Sequence, residues 1–193
     1  MANICTTEYI VEGELQELQD LYAKMHSLVD SSSKENSAAQ QYVWLGRLIS
    51  SLGGEPTDYY CPGEWCDLEL DEQRGVLTFT VDSKWVELDQ VRNFICERYP
   101  SLIFYYRAEE FAGGVFETND VGGRYFASHR VVLQDEEGEW TVHDFRTAKE
   151  ACRFVSDFCN REIDSVDKLK AEFGLYNVDA SSRIYYIHYT QAD

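Results

Sequence analysis

The spacing of apolar residues changes along the chain, and each change marks an element. Residues 4–11 predict a strand that ends at Gly13, and apolar side chains between Glu14 and Val29 recur at helical spacing. A polar, serine-rich loop follows. Apolar positions over 42–52 then predict a second helix, which ends at the Gly53-Gly54 pair.

The middle of the chain predicts a hairpin and a third helix. Apolar and polar residues alternate from Trp65 to Val81, with a turn at Asp71–Gly75. A helix that buries Val86 follows, and it ends at Tyr99 because the residue before a proline disfavours helical backbone. The remaining pattern predicts strands at 102–106, 114–118, 124–134, 140–143 and 183–189, and helices at 147–160 and 166–173.

This order of elements predicts an α+β fold with one mainly antiparallel sheet and helices packed mostly on one face. The β-β-α-β-β pattern of residues 64–134 fits a ferredoxin-like arrangement. We therefore expect a single domain over 1–193. Its ferredoxin-like part covers roughly 1–134, and a C-terminal strand-helix-helix-strand extension covers 135–193.

The net charge of the chain narrows the classes of molecule that it is expected to bind. The 193 residues include 17 Lys and Arg against 35 Asp and Glu, a net charge of −18, and 14% are aromatic. This aromatic content predicts a folded domain rather than an acidic disordered chain. The negative charge argues against direct binding to nucleic acid or to anionic membranes, because both need cations. The charge is spread evenly along the sequence, so it belongs to the fold rather than to a tail.

The cysteines and the N-terminus bear on compartment and metal. The first residues lack the basic and apolar stretches of a signal peptide, so we expect a cytoplasmic protein with six free thiols. Cys61 and Cys66 form a C-x4-C pair, which differs from the C-x2-C of structural zinc sites. The four histidines belong to no ligand or catalytic motif. The sequence therefore predicts no metal and no cofactor.

Several segments resemble a known family. They are Met1-Ala2-Asn3-Ile4-Cys5 with Gly13 before a helix, Glu64-Trp65-Cys66-Asp67, Asp82-Ser83-Lys84-Trp85, Arg98-Tyr99-Pro100-Ser101-Leu102-Ile103-Phe104, and Tyr106-Arg107-Ala108-Glu109-Glu110 followed by Gly113-Gly114. In this order, over roughly 1–125, they are similar to segments of the YubB-like proteins of conjugative plasmids and phages. The resemblance implies a ferredoxin-like α+β domain and a mobile-element setting. It implies no particular activity and assigns no functional residue.

Aromatic and acidic residues supply the candidate binding site. The candidates are Trp65, Trp85, Tyr105, Tyr106, Glu109, Glu110 and Tyr125. Aromatic side chains on an open sheet face can bind a protein partner, although core packing also explains most of them. Neighbouring strand residues point to opposite faces, so Glu109 and Glu110 are not expected to act as a catalytic pair. We expect them, with Glu117 and Asp120, to form a solvated strand end.

These observations favour a non-catalytic interaction domain whose protein partner has a basic or amphipathic surface. One alternative is a DNA mimic that inhibits a host nucleic-acid-binding protein, and it requires carboxylates gathered on one elongated face. Another is an enzyme with an unrecognised pocket, and it requires a cleft that joins a histidine or carboxylate to a thiol or metal. The placement of the charge and the presence of a pocket distinguish the three.

Overall fold

The computed structural model describes residues 3–32, 43–110, 115–134, 140–173 and 186–191. The chain divides into two compact units, Met1–Val115 and Phe116–Asp193. The predicted start of the C-terminal extension, at 135, lies after this division. The acidic turn expected at 135–139, the Gly113-Gly114 pair and residues 183–185 of the last predicted strand lie outside the described residues.

The first unit is an α+β unit. Its elements are β1 (Ile4–Glu12), α1 (Leu15–Ser32), β2 (Val43–Trp44), α2 (Leu45–Ser51), a 3-10 turn (Pro56–Asp58), β3 (Gly63–Asp71), β4 (Val76–Lys84), α3 (Asp89–Arg98) and β5 (Ile103–Glu110). The short strand β6 (Val115–Thr118) spans the boundary between the units. The predicted second helix is therefore split into β2 and α2.

The main sheet has the strand order β2-β3-β4-β1-β5-β6. β1 lies between β4 and β5 and is antiparallel to both, and β3 is antiparallel to β2 and β4. A β-bulge between Cys66 and Glu69 shifts the register of β3, and Asp67 takes a left-handed φ of 54° there. The α+β class and the mainly antiparallel sheet are thus confirmed.

One face of this sheet is buried under the helices. Along β1, Cys5, Thr7, Tyr9 and Val11 are buried, and the residues between them are more exposed. Tyr9 and Val11 share a core with Trp65 and Phe79 of the sheet and with apolar side chains of α1, α2 and α3. This core includes Leu18, Leu21, Met25, Leu48, Ile49, Val91, Phe94 and Ile95. On the opposite face of the sheet, Thr6 and Glu8 are exposed.

The second unit has its own sheet and core. Its elements are β7 (His129–Gln134), β8 (Trp140–Phe145), α4 (Ala148–Cys159), α5 (Val166–Phe173) and β9 (Tyr186–Gln191). The sheet order is β8-β7-β9, with both pairings antiparallel. Val131, Leu133, Cys152 and Val155 are buried in this core, which confirms the predicted packing role of Cys152.

Two sequence predictions about individual segments are wrong. The strand predicted at 124–134 starts only at His129, because residues 124–126 give their backbone N–H groups to Asp120. Val86 is not on the buried side of a helix; it precedes α3 and is 44% exposed.

The six cysteines, all among the described residues, are in the reduced thiol form. Within the described ranges, no helix is both long enough and apolar enough to cross a bilayer.

Candidate interaction surface

The face of the main sheet opposite the helices is rich in carboxylates. Because strand residues alternate between faces, Thr6 and Glu8 of β1 point away from the helices. The strand registers bring Glu64, Glu69, Asp82 and Glu109 to the same face as Glu8. We call these five carboxylates the acidic face. No sequence motif indicates that these five residues lie together, because they come from four different strands.

Two neighbouring rows of side chains cross this face. In the first, Glu64 of β3 lies directly opposite Asp82 of β4, and Asp82 is opposite Thr6. The Thr6 hydroxyl donates a hydrogen bond to Asp82 Oδ1 at 2.7 Å. Opposed residues of an antiparallel pair have Cβ atoms only about 5 Å apart. The Glu64 and Asp82 carboxylates therefore repel each other.

The second row contains a cation. Arg107 lies opposite Glu8, and its Nη2 donates to Glu8 Oε1 at 3.0 Å. Its Nε lies 3.1 Å from Glu109 Oε1. The Arg107 guanidinium thus lies beside two carboxylates, those of Glu8 and Glu109. Glu64 and Asp82, in contrast, are opposed to each other.

The pKa of the Cys66 thiol depends in part on the charge of this face. It lies opposite Thr80, one row from the Glu64–Asp82 pair, and is 4% exposed. Burial, a hydrogen bond to Asp67 and the charges of Asp67 and Asp82 raise the pKa of its thiol to about 12. The surroundings of Cys66 therefore disfavour a further negative charge, chiefly because the site is buried and secondarily because Asp67 and Asp82 are close.

A buried polar network lies on the helical side of the sheet. The Tyr9 hydroxyl donates to Glu87 Oε1 at 2.7 Å, and Arg92 Nε donates to the same oxygen at 2.9 Å. The Arg92 guanidinium also lies 5.1 Å from the centre of the Tyr106 ring. Burial, followed by the charge of Glu87, raises the pKa of the Tyr9 hydroxyl well above its ordinary value.

The space beside this network is too small for a substrate. The cavity beside it has a volume of about 10 Å³, which is the size of a single water. The network instead fixes the chain that enters α3, because Glu87 lies two residues before Asp89, the first residue of that helix.

The second unit contains a larger groove. Its volume is about 580 Å³, and Lys149, Cys152, Ser156 and Asp164 are among the residues that line it. Burial, followed by the charge of Asp164, raises the pKa of the Cys152 thiol, so this cysteine is not an activated thiolate. The Ser156 hydroxyl accepts a hydrogen bond from Ile163 N at 2.7 Å, and no histidine lines the groove. Among the described lining residues, neither the Cys152 thiol nor the Ser156 hydroxyl is therefore paired with a histidine.

The described residues also contain no group of three His, Cys, Asp or Glu side chains that could hold a metal ion.

Three of the predicted binding residues lie at or near the acidic face. Glu109 belongs to it, and Tyr105 lies on the same face of β5, opposite Ile10. Trp85 follows the last residue of β4 and is 51% exposed.

The other predicted binding residues lie elsewhere. Trp65 is fully buried in the core, and Tyr106 packs against that core from the helical side. Glu110 also points to the helical side and is 4% exposed, so the solvated strand end expected there is wrong. Tyr125 belongs to the second unit, where its backbone N–H donates to Asp120.

Asp120 is likewise buried rather than solvated. Its carboxylate accepts hydrogen bonds from the backbone N–H groups of Arg124, Tyr125 and Phe126 at 2.6–3.0 Å. Burial opposes ionisation, but these bonds and the charge of Arg146 outweigh it and lower the pKa of Asp120. Asp120 therefore organises the loop that leads to β7.

Sequence reasoning missed Glu8, Glu64 and Asp82. The signal for Glu8 was present, because it lies between two residues that the alternation of β1 buries. The pairing of Glu64 with Asp82 depends on register, which no local pattern encodes.

No protein-family model, curated protein or solved structure matches this chain. The functional assignment therefore depends on the geometry of the chain itself.

Proposed function

We propose that the chain is a non-catalytic interaction domain that binds a positively charged protein surface through its acidic face. The observation that carries this proposal is the directly opposed pair Glu64 and Asp82 on the side of the sheet opposite the helices. Like charges at such positions destabilise a sheet by up to about 1 kcal/mol. A Lys or Arg of a partner, placed between the two carboxylates, removes this repulsion.

The distribution of charge favours a protein partner over the DNA-mimic alternative. A mimic requires its carboxylates to be gathered on one face. Here exposed carboxylates also occur on the helical side, at Glu14 and Asp20 of the α1 region and at Glu97 of α3. The acidic face is thus one local cluster within a generally acidic surface.

The fold proposed for the first unit is ferredoxin-like. The succession β1-α1-β3-β4-α3-β5, with the antiparallel order β3-β4-β1-β5, is that of a split β-α-β arrangement. β2 and α2 are then an insertion between α1 and β3. The proposed relation to the YubB-like proteins, and with it a mobile-element origin, is supported by the sequence segments given above.

Binding of a labelled octalysine peptide tests the proposed function. The dissociation constant is measured by fluorescence anisotropy at about 20 mM and about 150 mM salt, since salt screens exposed charges. The double variant Glu64→Gln/Asp82→Asn is expected to weaken binding about fivefold at low salt, because two exposed ion pairs are lost.

A matched control changes the net charge equally. Glu14→Gln/Glu97→Gln removes two exposed carboxylates from the helical side. It is expected to leave the dissociation constant within about twofold of the unaltered protein, since distant charges are screened. Equal weakening by the two double variants, or no binding at low salt, overturns the proposal.

A further inference from the structure

The segment between β4 and α3 contains a strained turn. Trp85 has a left-handed φ of 75°, and the Val86 N–H donates to the Lys84 carbonyl oxygen at 3.0 Å. A turn closed from residue i to i+2 with a positive central φ is the rare and strained form of the γ-turn. A tryptophan is a poor residue for this conformation, which glycine adopts without steric cost.

Contacts on both sides hold this turn in place. The Trp85 N–H donates to the Asn3 carbonyl at 3.2 Å, and the Ser83 hydroxyl donates to the Val86 carbonyl at 2.6 Å. Ser83 itself is 3% exposed. On the other side, the buried network with Tyr9 and Arg92 fixes Glu87. The surrounding structure therefore imposes the turn, as is typical of strain kept at functional sites.

Apolar side chains at and beside this turn lie in solvent rather than in the core. Trp85 is 51% exposed and Val86 is 44% exposed. Ile4, which lies opposite Lys84 in the sheet register, is 63% exposed. We call these three residues the apolar end. The packing of the core does not account for a strained tryptophan that leaves half of its surface in water.

The apolar end adjoins the acidic face. Ile4 precedes Thr6 by two residues on the same face of β1, and Thr6 hydrogen-bonds Asp82. Residues two apart along a strand are separated by about 6.8 Å. An extended partner segment spans this distance with residues i and i+2, so one apolar side chain and one basic side chain of it reach both surfaces.

We propose that the apolar end is the anchor for an apolar side chain of a basic, amphipathic protein segment, whose Lys or Arg side chains pair with the acidic face. This inference rests on the proposed function and specifies the partner's chemistry. The charge complementarity of the acidic face selects a basic segment, and the preformed turn presents Trp85 and Val86 to its apolar residue. Rigid aromatic anchors of this kind supply much of the affinity of interfaces.

Two peptides test the inference: octalysine, and the same peptide with one central lysine replaced by leucine. Burial of the leucine is expected to make the second peptide bind about tenfold more tightly to the unaltered protein. Trp85→Gly and Trp85→Ala are expected to abolish this preference while the octalysine affinity stays within about twofold. Trp140→Ala, which removes a 53% exposed tryptophan from the second unit, is expected to retain the preference.

Thermal melting of the two Trp85 variants tests the strain separately. Glycine accepts the positive φ and alanine does not, so Trp85→Gly is expected to melt several degrees above Trp85→Ala. Both variants lack the indole ring, so the difference isolates the backbone. Equal melting temperatures show that the turn is not strained. They overturn the inference that the surrounding structure imposes this turn and so exposes Trp85.

The outcomes separate this inference from the proposed function. If octalysine binding depends on Glu64 and Asp82 but the leucine peptide gains nothing, the anchor is wrong and the acidic face stands. If Trp140→Ala abolishes the preference as Trp85→Gly does, the anchor is also wrong. If neither peptide binds the unaltered protein, both proposals are wrong.

Discussion

Two directly opposed pairs of charged residues, one in each sheet of this protein, differ in the sign of their charges. In the smaller sheet, Arg130 of β7 lies opposite Asp144 of β8, and Arg130 donates two hydrogen bonds to the carboxylate at 2.7 and 2.9 Å. Val132 lies opposite Val142 in the same sheet. In the main sheet, Glu64 lies opposite Asp82. Opposite charges stabilise such positions and like charges destabilise them.

This difference separates carboxylates that stabilise the fold from the carboxylates that we propose bind a partner. Asp144 and Asp120 of the second unit have their hydrogen bonds satisfied within the chain. Among the residues that the structure describes, no cation forms an ion pair with Glu64 or Asp82, and Thr6 supplies a neutral hydrogen bond to Asp82. Five predictions test this distinction.

The largest effect is expected for Asp120→Ala. The substitution leaves three backbone N–H groups without their carboxylate, so we expect a loss of about 3 kcal/mol in the free energy of unfolding. Urea denaturation followed by circular dichroism measures it. Asp82→Ala, on the acidic face, serves as the comparison and is expected to cost less than about 1 kcal/mol. Equal losses of unfolding free energy in the two variants contradict the distinction between Asp120, which stabilises the fold, and Asp82, which does not.

The same carboxylate predicts a pH dependence. The pKa of Asp120 is lower in the folded chain than in the unfolded one, where Asp titrates near about 3.9. Its contribution to stability is therefore complete above that value and is lost as the pH falls through the folded pKa. Urea midpoints measured from about pH 6 to about pH 3 should fall less steeply for Asp120→Asn than for the unaltered protein.

Arg130→Ala is expected to have the next largest effect. It removes the bidentate pair with Asp144 and the contact of the guanidinium with the Phe116 ring, 4.3 Å from its centre. A loss of about 2 kcal/mol should follow in urea denaturation. The control is Arg153→Ala, whose pair with Asp157 is long and exposed, and it should cost less than about 0.5 kcal/mol. A small effect of Arg130→Ala would show that the matched pair contributes little.

Glu64→Lys is expected to stabilise the main sheet. It replaces a repulsive cross-strand pair by an attractive one, so the free energy of unfolding should rise by about 0.5–1 kcal/mol. The gain should shrink in about 1 M salt, because salt screens exposed pairs. Loss of stability at low salt would show that Glu64 has a partner within the fold, which contradicts its proposed role.

The smallest effect concerns the reactivity of Cys66. Its raised pKa of about 12 keeps the thiol protonated, so alkylation by iodoacetamide near about pH 8 should be far slower than for an exposed cysteine. Asp82→Asn removes one of the charges that raise this pKa and should accelerate the reaction a few-fold, as followed by mass spectrometry of the Cys66 peptide. An unchanged rate would show that burial alone protects the thiol.

Local pattern was sufficient for most elements but not for the pairing between them. The alternation of β1 and the turn at Asp71–Gly75 correctly predicted β1 and the β3–β4 hairpin, because neighbouring residues determine both. It was also right that Glu109 and Glu110 point to opposite faces. The opposed pair Glu64 and Asp82 was not predicted, because it depends on the bulge in β3.

The bulge also determines where Trp65, a candidate binding residue, lies. Unbroken alternation from Glu69 places Trp65 on the same face as Glu69. The shift between Cys66 and Glu69 turns it into the core. Similarly, the residues before α3 resemble the start of a helix, and long-range contacts with Asn3 and Tyr9 impose a turn instead. Neither contact is visible in the local sequence.

The bulge has a consequence for how this gene can change over evolutionary time. Two residues of β3, Asp67 and Leu68, occupy the space opposite one residue of β4. Loss of one codon at this point leaves Glu64 outside and Trp65 inside, since the pairing on both sides is unchanged. Loss of a codon elsewhere in β3 exchanges the two faces on one side of the deletion. Related sequences are therefore expected to differ in length within β3 at residues 67–68.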